Sequence, residues 1–188
     1  MWQHRYWECP DPMVSDMSEV KPPWGEEGPY FEDFEIGMVI KHWPCRTLTE
    51  FDNILLLSYT GDANPLYFDK EYVKYTDYQR NPIHPLIVLN LTLALTVKDT
   101  SINSVAFLGA DYMTLHMPVY PGDTICVESE VVAKRESRSR PEAGIVTWIH
   151  RAYNQEGKLV AEARRTNLVY KREHAPWKKF LAVVGRSK

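Results

Sequence analysis

The chain has 188 residues, a formal net charge of −3 and 44% hydrophobic residues, among them 11 Tyr and 6 Trp. This length fits one domain with extensions, and the apolar content is enough for one sizeable core. The longest apolar run, residues 86–97, is too short to span a bilayer, so we expect no membrane segment.

The three cysteines, Cys9, Cys45 and Cys126, stand far apart and show no spacing typical of a metal site. We therefore expect neither a disulfide framework nor a zinc site. The first twelve residues contain no apolar stretch of the kind that signal peptides carry. A reducing, cytoplasmic compartment is the expectation that follows.

The charge is unevenly distributed. Residues 1–133 hold 8 Lys and Arg against 20 Asp and Glu, whereas residues 134–188 hold 14 against 5. A basic final third could attract a phosphorylated ligand or the acidic face of a partner, but solvated strand edges and a basic tail produce the same pattern. The basic segment lacks interleaved aromatic residues, so no nucleic-acid partner is expected.

The sequence divides into three parts. Residues 1–29 are rich in Pro, Trp and acidic residues, which predicts an extended arm whose tryptophans pack on the domain or on a neighbour. A single domain is predicted at residues 30–172. Residues 173–188 are predicted to form a basic tail.

The first half of the domain predicts a strand and two helices. The strand is expected at residues 38–47. Thr49, followed by acidic residues, predicts a helix N-terminus, and Gly61 predicts its end. Three apolar residues of this helix recur at helical spacing: Phe51, Ile54 and Leu55. A loop follows, and then a short helix at residues 70–76.

The second half predicts one helix and a series of strands. The run from Ile83 to Thr100 is almost wholly apolar, which predicts a long central helix buried on all sides. Strands are predicted after it at residues 104–110, 112–117, 124–134, 145–154 and 159–170. One buried helix followed by long antiparallel strands predicts an α+β fold in which a curved sheet wraps the helix. Because such a sheet keeps exposed edges, we expect a dimer.

Five motifs occur in order along residues 30–172: FEIGMVI, TLTEFD, TGDANPLYFDKEY, NPIHPL and PVYPGDTICVESEV. Together they resemble the MaoC-like dehydratases, a hotdog-fold family that includes (R)-specific enoyl-CoA hydratases. The segment that follows is most similar to the mesaconyl-CoA hydratase branch. The resemblance implies that water is added or removed at the 2,3 double bond of an enoyl-CoA thioester. It implies no cofactor beyond the coenzyme A of the substrate.

The family carries an Asp-x-Asn-Pro-x-His loop, which holds and activates the water. The resemblance makes Asp62 the proton-handling carboxylate, although an Asp that only caps the turn would also fit here. Asn64 belongs to the same loop, where it is expected to shape the backbone that aims Asp62, and it is assigned to substrate binding. Tyr67 stands where the family has His. A phenol is a poor base at neutral pH but can donate a hydrogen bond, and a Tyr67 that merely packs is equally compatible.

The family opens its central helix with His-Gly, where the Gly backbone N–H helps to hold the thioester oxygen. His84 matches the His and is a candidate acid. Pro85 replaces the Gly and has no N–H, so Leu86 N–H is the predicted substitute at the helix N-terminus. Arg135 and Arg138 are predicted to contact the coenzyme A phosphates, although a charged hairpin tip accounts for them equally well.

Two functions are therefore carried forward. The first is an active MaoC-like hydratase or dehydratase built on Asp62, Tyr67 and His84, working as a homodimer or a higher homo-oligomer. The second is a non-catalytic hotdog subunit, which binds acyl-CoA or supports a catalytic sister chain in a heteromer. The two departures from the family pattern, Tyr67 and Pro85, favour the second function, and the match of Asp62 favours the first.

Overall fold

The computed structural model describes residues 27–176 together with Phe180 and Val183. The helices are α1 (Glu50–Thr60), α2 (Pro85–Ala94) and α3 (Val97–Thr100). The strands are β1 (Val39–Lys41), β2 (Arg46–Thr47), β3 (Ser104–Leu115), β4 (Thr124–Glu136), β5 (Ala143–Tyr153) and β6 (Leu159–Tyr170). Most of the predicted arm and most of the predicted tail lie outside the described residues.

One antiparallel sheet organises the fold, with the strand order β1-β4-β5-β6-β3 and with β2 also paired to β4. Antiparallel pairing joins β4 to β5 and β5 to β6 along almost their whole length. β3 pairs with β6 alone and so forms one edge of the sheet. Helix α2 contacts β3, β5 and β6. The predicted α+β fold, a central helix wrapped by an antiparallel sheet, is confirmed.

Capping fixes both ends of α1 where the sequence predicts them. The backbone N–H and the hydroxyl of Thr49 both donate to Asp52 Oδ2, at 2.8 and 2.9 Å. Gly61 ends the helix in the left-handed region, with φ of 71°. The buried residues of the helix are Asn53 and Leu57. The apolar residues at helical spacing remain exposed: Phe51, Ile54 and Leu55.

The predicted central helix is divided into α2 and α3 by a turn at residues 95–96. The prediction that it is buried on all sides is wrong for this chain, because one sheet covers only one face of it. Val88, Leu91 and Thr92 are buried, whereas Leu86 is 59% exposed. Among the described residues, no helix is both long and apolar enough to cross a membrane.

Several predicted element bounds differ from the structure. Residues 38–47 form the two short strands β1 and β2 rather than one, with a cis peptide bond between Trp43 and Pro44. The predicted strands 104–110 and 112–117 are a single strand, β3, which stays paired to β6 through three register shifts. An irregularity of this kind breaks the alternation of side chains without ending the ladder. The short helix predicted at 70–76 is a 3₁₀ helix, Tyr72–Tyr75.

Cys45 and Cys126 form a disulfide, with their Cα atoms 4.5 Å apart. The expectation of no disulfide is therefore wrong for this pair. The two residues are 81 positions apart in the sequence, so their spacing carries no signal. They meet because β2 and β4 pair in an antiparallel register that sets Arg46 opposite Ile125, which places the two cysteines opposite each other one step further along.

The core consists of two apolar clusters. The first lies under α2 and includes Ile83, Val88, Leu91, Ile125, Val127 and Ala152. The second lies under the 3₁₀ helix Phe31–Asp33 and includes Phe31, Phe34, Val131, Val146 and Trp148. Ile83 is 1% exposed, so the chain is anchored in the first cluster immediately before α2 begins.

Candidate active site

His84 is the N-cap residue of α2, and its ring is held by the helix that it caps. The Leu86 N–H donates to His84 Nδ1 at 3.1 Å. Pro85 occupies the first helical position, where its fixed φ favours the helix and its missing N–H costs nothing. Because Nδ1 accepts a hydrogen bond, the proton of the neutral ring lies on Nε2. Nε2 lies 3.2 Å from Asp62 Oδ2.

The two carboxylate oxygens of Asp62 have different neighbours. Oδ1 accepts from the Asn64 N–H at 2.9 Å, whereas Oδ2 faces His84. The turn-capping role and the pairing with His84 therefore coexist in one side chain. Asn64 Oδ1 in turn accepts from the Leu66 N–H at 3.1 Å, which shapes the loop. The Asp62 side chain is 34% exposed and that of His84 12%, so the carboxylate remains within reach of solvent.

Tyr67 packs against the same imidazole. The two ring centroids are 4.5 Å apart and the ring planes are tilted by 56°. Burial raises the pKa of Tyr67, and the nearby Tyr78 and Asp62 raise it further. The phenol therefore remains protonated at neutral pH and can act as a hydrogen-bond donor.

The first turn of α2 offers no free backbone amide. Pro85 has none, the Leu86 N–H is bonded to His84 Nδ1, and the Ile87 N–H donates to the His84 carbonyl oxygen at 2.9 Å. The Leu86 N–H could bind a thioester oxygen only if its bond to the imidazole broke.

A cavity of about 220 Å³ lies beside the Asp62–His84 pair. Its wall is mostly apolar, with Tyr67, Tyr78 and His116 as polar members; the other lining residues are Leu66, Pro82, Ile83, Pro85, Leu115, Met117 and Pro118. Tyr67 and Pro85 connect the cavity to the pair, which does not itself line it. The cavity is smaller than most ligand pockets.

The two predicted phosphate-binding arginines lie elsewhere. Arg135 lies near the end of β4 and Arg138 in the turn that follows. Ile125, at the other end of β4, packs in the same cluster as Ile83. Ten residues of strand separate Ile125 from Arg135, which corresponds to roughly 33 Å. Within one protomer the structure does not bring these arginines together with Asp62 and His84.

Asn53 is a residue of this region that the sequence analysis missed. Its side chain is buried and bonds to three backbone groups on two other segments: it donates to the Tyr67 and Pro82 carbonyl oxygens, at 3.1 and 2.8 Å, and accepts from the His84 N–H at 2.8 Å. Asn53 thus ties the Tyr67 loop to the start of α2. A polar residue four positions before the buried Leu57 was the available signal.

Comparison with known proteins shows which family the chain belongs to. The family described as mesaconyl-CoA hydratase matches residues 14–177. The chain belongs to this family. A mesaconyl-CoA hydratase from Haloarcula marismortui is 35% identical over 151 residues, which is 80% of this chain and 42% of that protein. The chain thus spans about two fifths of the length of such relatives.

Solved structures confirm the hotdog fold. A putative MaoC domain protein dehydratase from Chloroflexus aurantiacus superposes with a TM-score of 0.74 at 33% identity, over 78% of this chain and 42% of that one. A Mycobacterium tuberculosis protein described as having a double hotdog fold superposes with a TM-score of 0.70, over 76% of this chain and 44% of that one. At 23% identity this second likeness concerns the fold alone.

The contacts of Asn53 predict a stability effect. Asn53→Ala should lower the free energy of unfolding by about 2–4 kcal/mol, because two backbone carbonyls and one N–H lose their partner. Chemical denaturation measures this change. Asn90→Ala, an exposed asparagine on α2, is the matched control and should stay within about 0.5 kcal/mol of the wild type. If both variants changed the free energy of unfolding equally, the hydrogen bonds of Asn53 would not stabilise the fold.

Proposed function

We propose that the chain adds water to, or removes it from, the 2,3 double bond of an enoyl-CoA thioester. The observation that carries this proposal is the Asp62–His84 pair, in which a partly exposed carboxylate faces an imidazole whose tautomer is fixed by the Leu86 N–H. The names of the relatives support the reaction type. The activity remains a proposal because those relatives are more than twice as long as the matched segment.

In the proposed hydration, the direct contact between Asp62 Oδ2 and His84 Nε2, which are 3.2 Å apart, opens to admit a water that lies within hydrogen-bond distance of both atoms. The His84 N–H donates to the water oxygen. The Asp62 carboxylate takes a proton from the water while the water oxygen bonds to C3. The electrons of the double bond move to the thioester oxygen and form an enolate. Asp62, now protonated, returns that proton to C2, so one molecule of water has been added. Dehydration runs through the same steps in reverse.

The enolate oxygen requires a hydrogen-bond donor, and the first turn of α2 supplies no free amide. We assign this role to the Tyr67 hydroxyl, which stays protonated, lies against His84 and lines the adjoining cavity. A donor aimed at a developing negative charge contributes about 10²–10³ in rate. Tyr67 thus has a different task from the His that it replaces.

The second candidate is a non-catalytic hotdog subunit. The observation that favours it is the first turn of α2, where Pro85 has no N–H and the Leu86 N–H is already bonded. Such a subunit would bind an acyl-CoA or support a catalytic sister chain. Activity of the purified protein separates the two candidates.

We propose an acyl-CoA thioester as the ligand, and no cofactor beyond its coenzyme A. Arg135 and Arg138 lie far from Asp62 within one protomer, and we propose that they contact the phosphates of that ligand from a second copy. A cytoplasmic location also stays a prediction. Disulfides are rare in that compartment, so trapping the thiols of Cys45 and Cys126 in lysed cells tests it.

Asp62→Asn should reduce the rate of hydration of crotonyl-CoA or mesaconyl-CoA by about 10²–10⁴, because an amide cannot take the proton from water. The rate is measured as the loss of absorbance of the conjugated enoyl thioester. Asp69→Asn is the matched control: Asp69 also caps a turn, through the Glu71 and Tyr72 N–H groups at 2.9 Å, but does not face His84.

Asp69→Asn should leave the rate within a few-fold of the wild type. Equal rates for Asp62→Asn and the wild type would refute the proposed role of Asp62. A folded wild type with no activity would instead support the non-catalytic subunit, and binding of crotonyl-CoA by calorimetry would then be its test.

We further propose that the unit in solution is a dimer formed along β3. This edge strand exposes Phe107 and Leu108, at 57% and 51%, and no other described strand pairs with its outer side. Long apolar edges associate unless they are charged or covered. The chain covers only 42% of the length of the Haloarcula relative and of the Chloroflexus structure, which supports a second copy of this chain as the occupant.

Sedimentation at micromolar concentration should show a dimer, and Leu108→Lys should shift it towards monomer. Val39→Lys, on the opposite edge strand β1, is the control and should leave the dimer intact. A monomeric wild type would contradict the proposal, and a wild type that associates only with a different hotdog chain would indicate the heteromer.

A further inference from the structure

A layer of polar side chains separates the two apolar clusters of the core. Along the inner face of β4 and β5, one polar residue stands between members of the two clusters: Val127, Ser129 and Val131 on β4, and Ala152, His150 and Trp148 on β5. Arg165 and Asn167 continue this arrangement on β6. His42, together with Thr96, Asp99 and Thr100 of the α2–α3 region, covers it. We call these eight residues the polar layer.

Four members of the polar layer form a hydrogen-bonded chain. Asp99 Oδ2 lies 3.0 Å from His42 Nδ1, His42 Nε2 lies 2.7 Å from Ser129 Oγ, and Ser129 Oγ lies 2.5 Å from His150 Nδ1. An ionised carboxylate only accepts, so His42 Nδ1–H donates to it. A neutral His42 then accepts from the Ser129 hydroxyl, and Ser129 accepts from His150 Nδ1–H. His150 Nε2 is left as an acceptor.

The charges in this layer are deeply buried. Arg165 is 4% exposed and Asp99 is 4% exposed. Arg165 Nη2 donates to the Thr100 and Thr96 hydroxyls at 2.7 and 3.2 Å, and among the described residues no carboxylate forms an ion pair with it. Burial lowers the pKa of Arg165 to about 10, so it still carries its charge at neutral pH. Burial also lowers the pKa of His150 well below its usual value, and the nearby charge of Arg165 lowers it further, which keeps that ring neutral.

Five buried side-chain atoms have no hydrogen-bond partner within the part of the chain that the structure describes. All five belong to the polar layer or to the Trp148 side chain at its border: Asp99 Oδ1, Trp148 Nε1, His150 Nε2, Arg165 Nε and Asn167 Oδ1. Two of them are donors, on Arg165 and Trp148, and three are acceptors. Unpaired buried polar atoms are costly, and buried water, which makes about three hydrogen bonds, is the usual partner of such a group.

We propose that the polar layer is a binding site for internal water. At least one water molecule accepts from Arg165 Nε–H or Trp148 Nε1–H and donates to Asp99 Oδ1 or His150 Nε2. Where the acceptor is Asp99 Oδ1, on α3, the water links the end of the central helix to the sheet.

The order Asp99, His42 and Ser129 is also that of a catalytic triad, but these residues do not form a second active site. Ser129 is 0% exposed, and its hydroxyl oxygen is shared between His42 and His150. A nucleophile needs access to its substrate, which this serine lacks. The role of the three residues in the polar layer is structural.

Proton NMR of the 188-residue chain tests the proposal with water itself as the probe. The Trp148 indole N–H should show a cross-peak to a long-lived water. Arg165→Met removes the Nε donor and introduces an apolar side chain, so the cross-peak should be lost. Arg164→Met is the matched control, because the neighbouring Arg164 is only half-buried and is paired with Asp111 on the other face of the sheet; there the cross-peak should persist.

A crystal structure of the wild type provides the second readout, which stands even if Arg165→Met does not fold. Density for a water within hydrogen-bond distance of Arg165 Nε or Trp148 Nε1, and of Asp99 Oδ1 or His150 Nε2, would support the proposal. A direct contact between the Asp99 carboxylate and the Arg165 guanidinium, with no water in the polar layer, would overturn it. Loss of the cross-peak in Arg164→Met would also count against it.

Discussion

The hydrogen bond from the Leu86 N–H to His84 Nδ1 is the interaction on which the candidate site depends. It begins helix α2, and it also decides which nitrogen of the imidazole carries the proton. With Nδ1 occupied, the Nε2–H is directed towards the Asp62 carboxylate. A single bond therefore couples the start of the central helix to the chemistry of the loop. The same bond engages the first amide of α2, which moves the task of binding an enolate oxygen to a side chain.

Polar groups hold the central helix in place at both of its ends. At its start, Asn53 fixes the backbone around His84, and Ile83 anchors that backbone in an apolar cluster. At its end, Asp99 is buried against His42 on the sheet side. Polar contacts of this kind are directional, whereas apolar packing tolerates small rotations of a helix. The register of the helix on the sheet is thus set at its two ends.

Much of this was predictable from the sequence, and the failures have physical causes. Local rules placed α1 correctly, because Thr49 and Gly61 are capping residues whose effect depends on their neighbours alone. The family motifs singled out Asp62 and His84 as candidates. The disulfide and the burial of Asn53 depend on pairing between distant segments, which no local pattern encodes. The separation of Arg135 from Asp62 within one protomer was not predictable either, because the distance along β4 follows only from the sheet register.

The central claim is that His84 is held as the Nε2–H tautomer facing Asp62. Long-range ¹H–¹⁵N correlation NMR of the imidazole rings tests this directly, with His84→Gln used to assign the signals. The account predicts, at neutral pH, a protonated Nε2 and an unprotonated, hydrogen-bonded Nδ1 for His84. A ring with the proton on Nδ1, or one that exchanges freely between both tautomers, would contradict it, because the Leu86 amide could not then hold the ring in place.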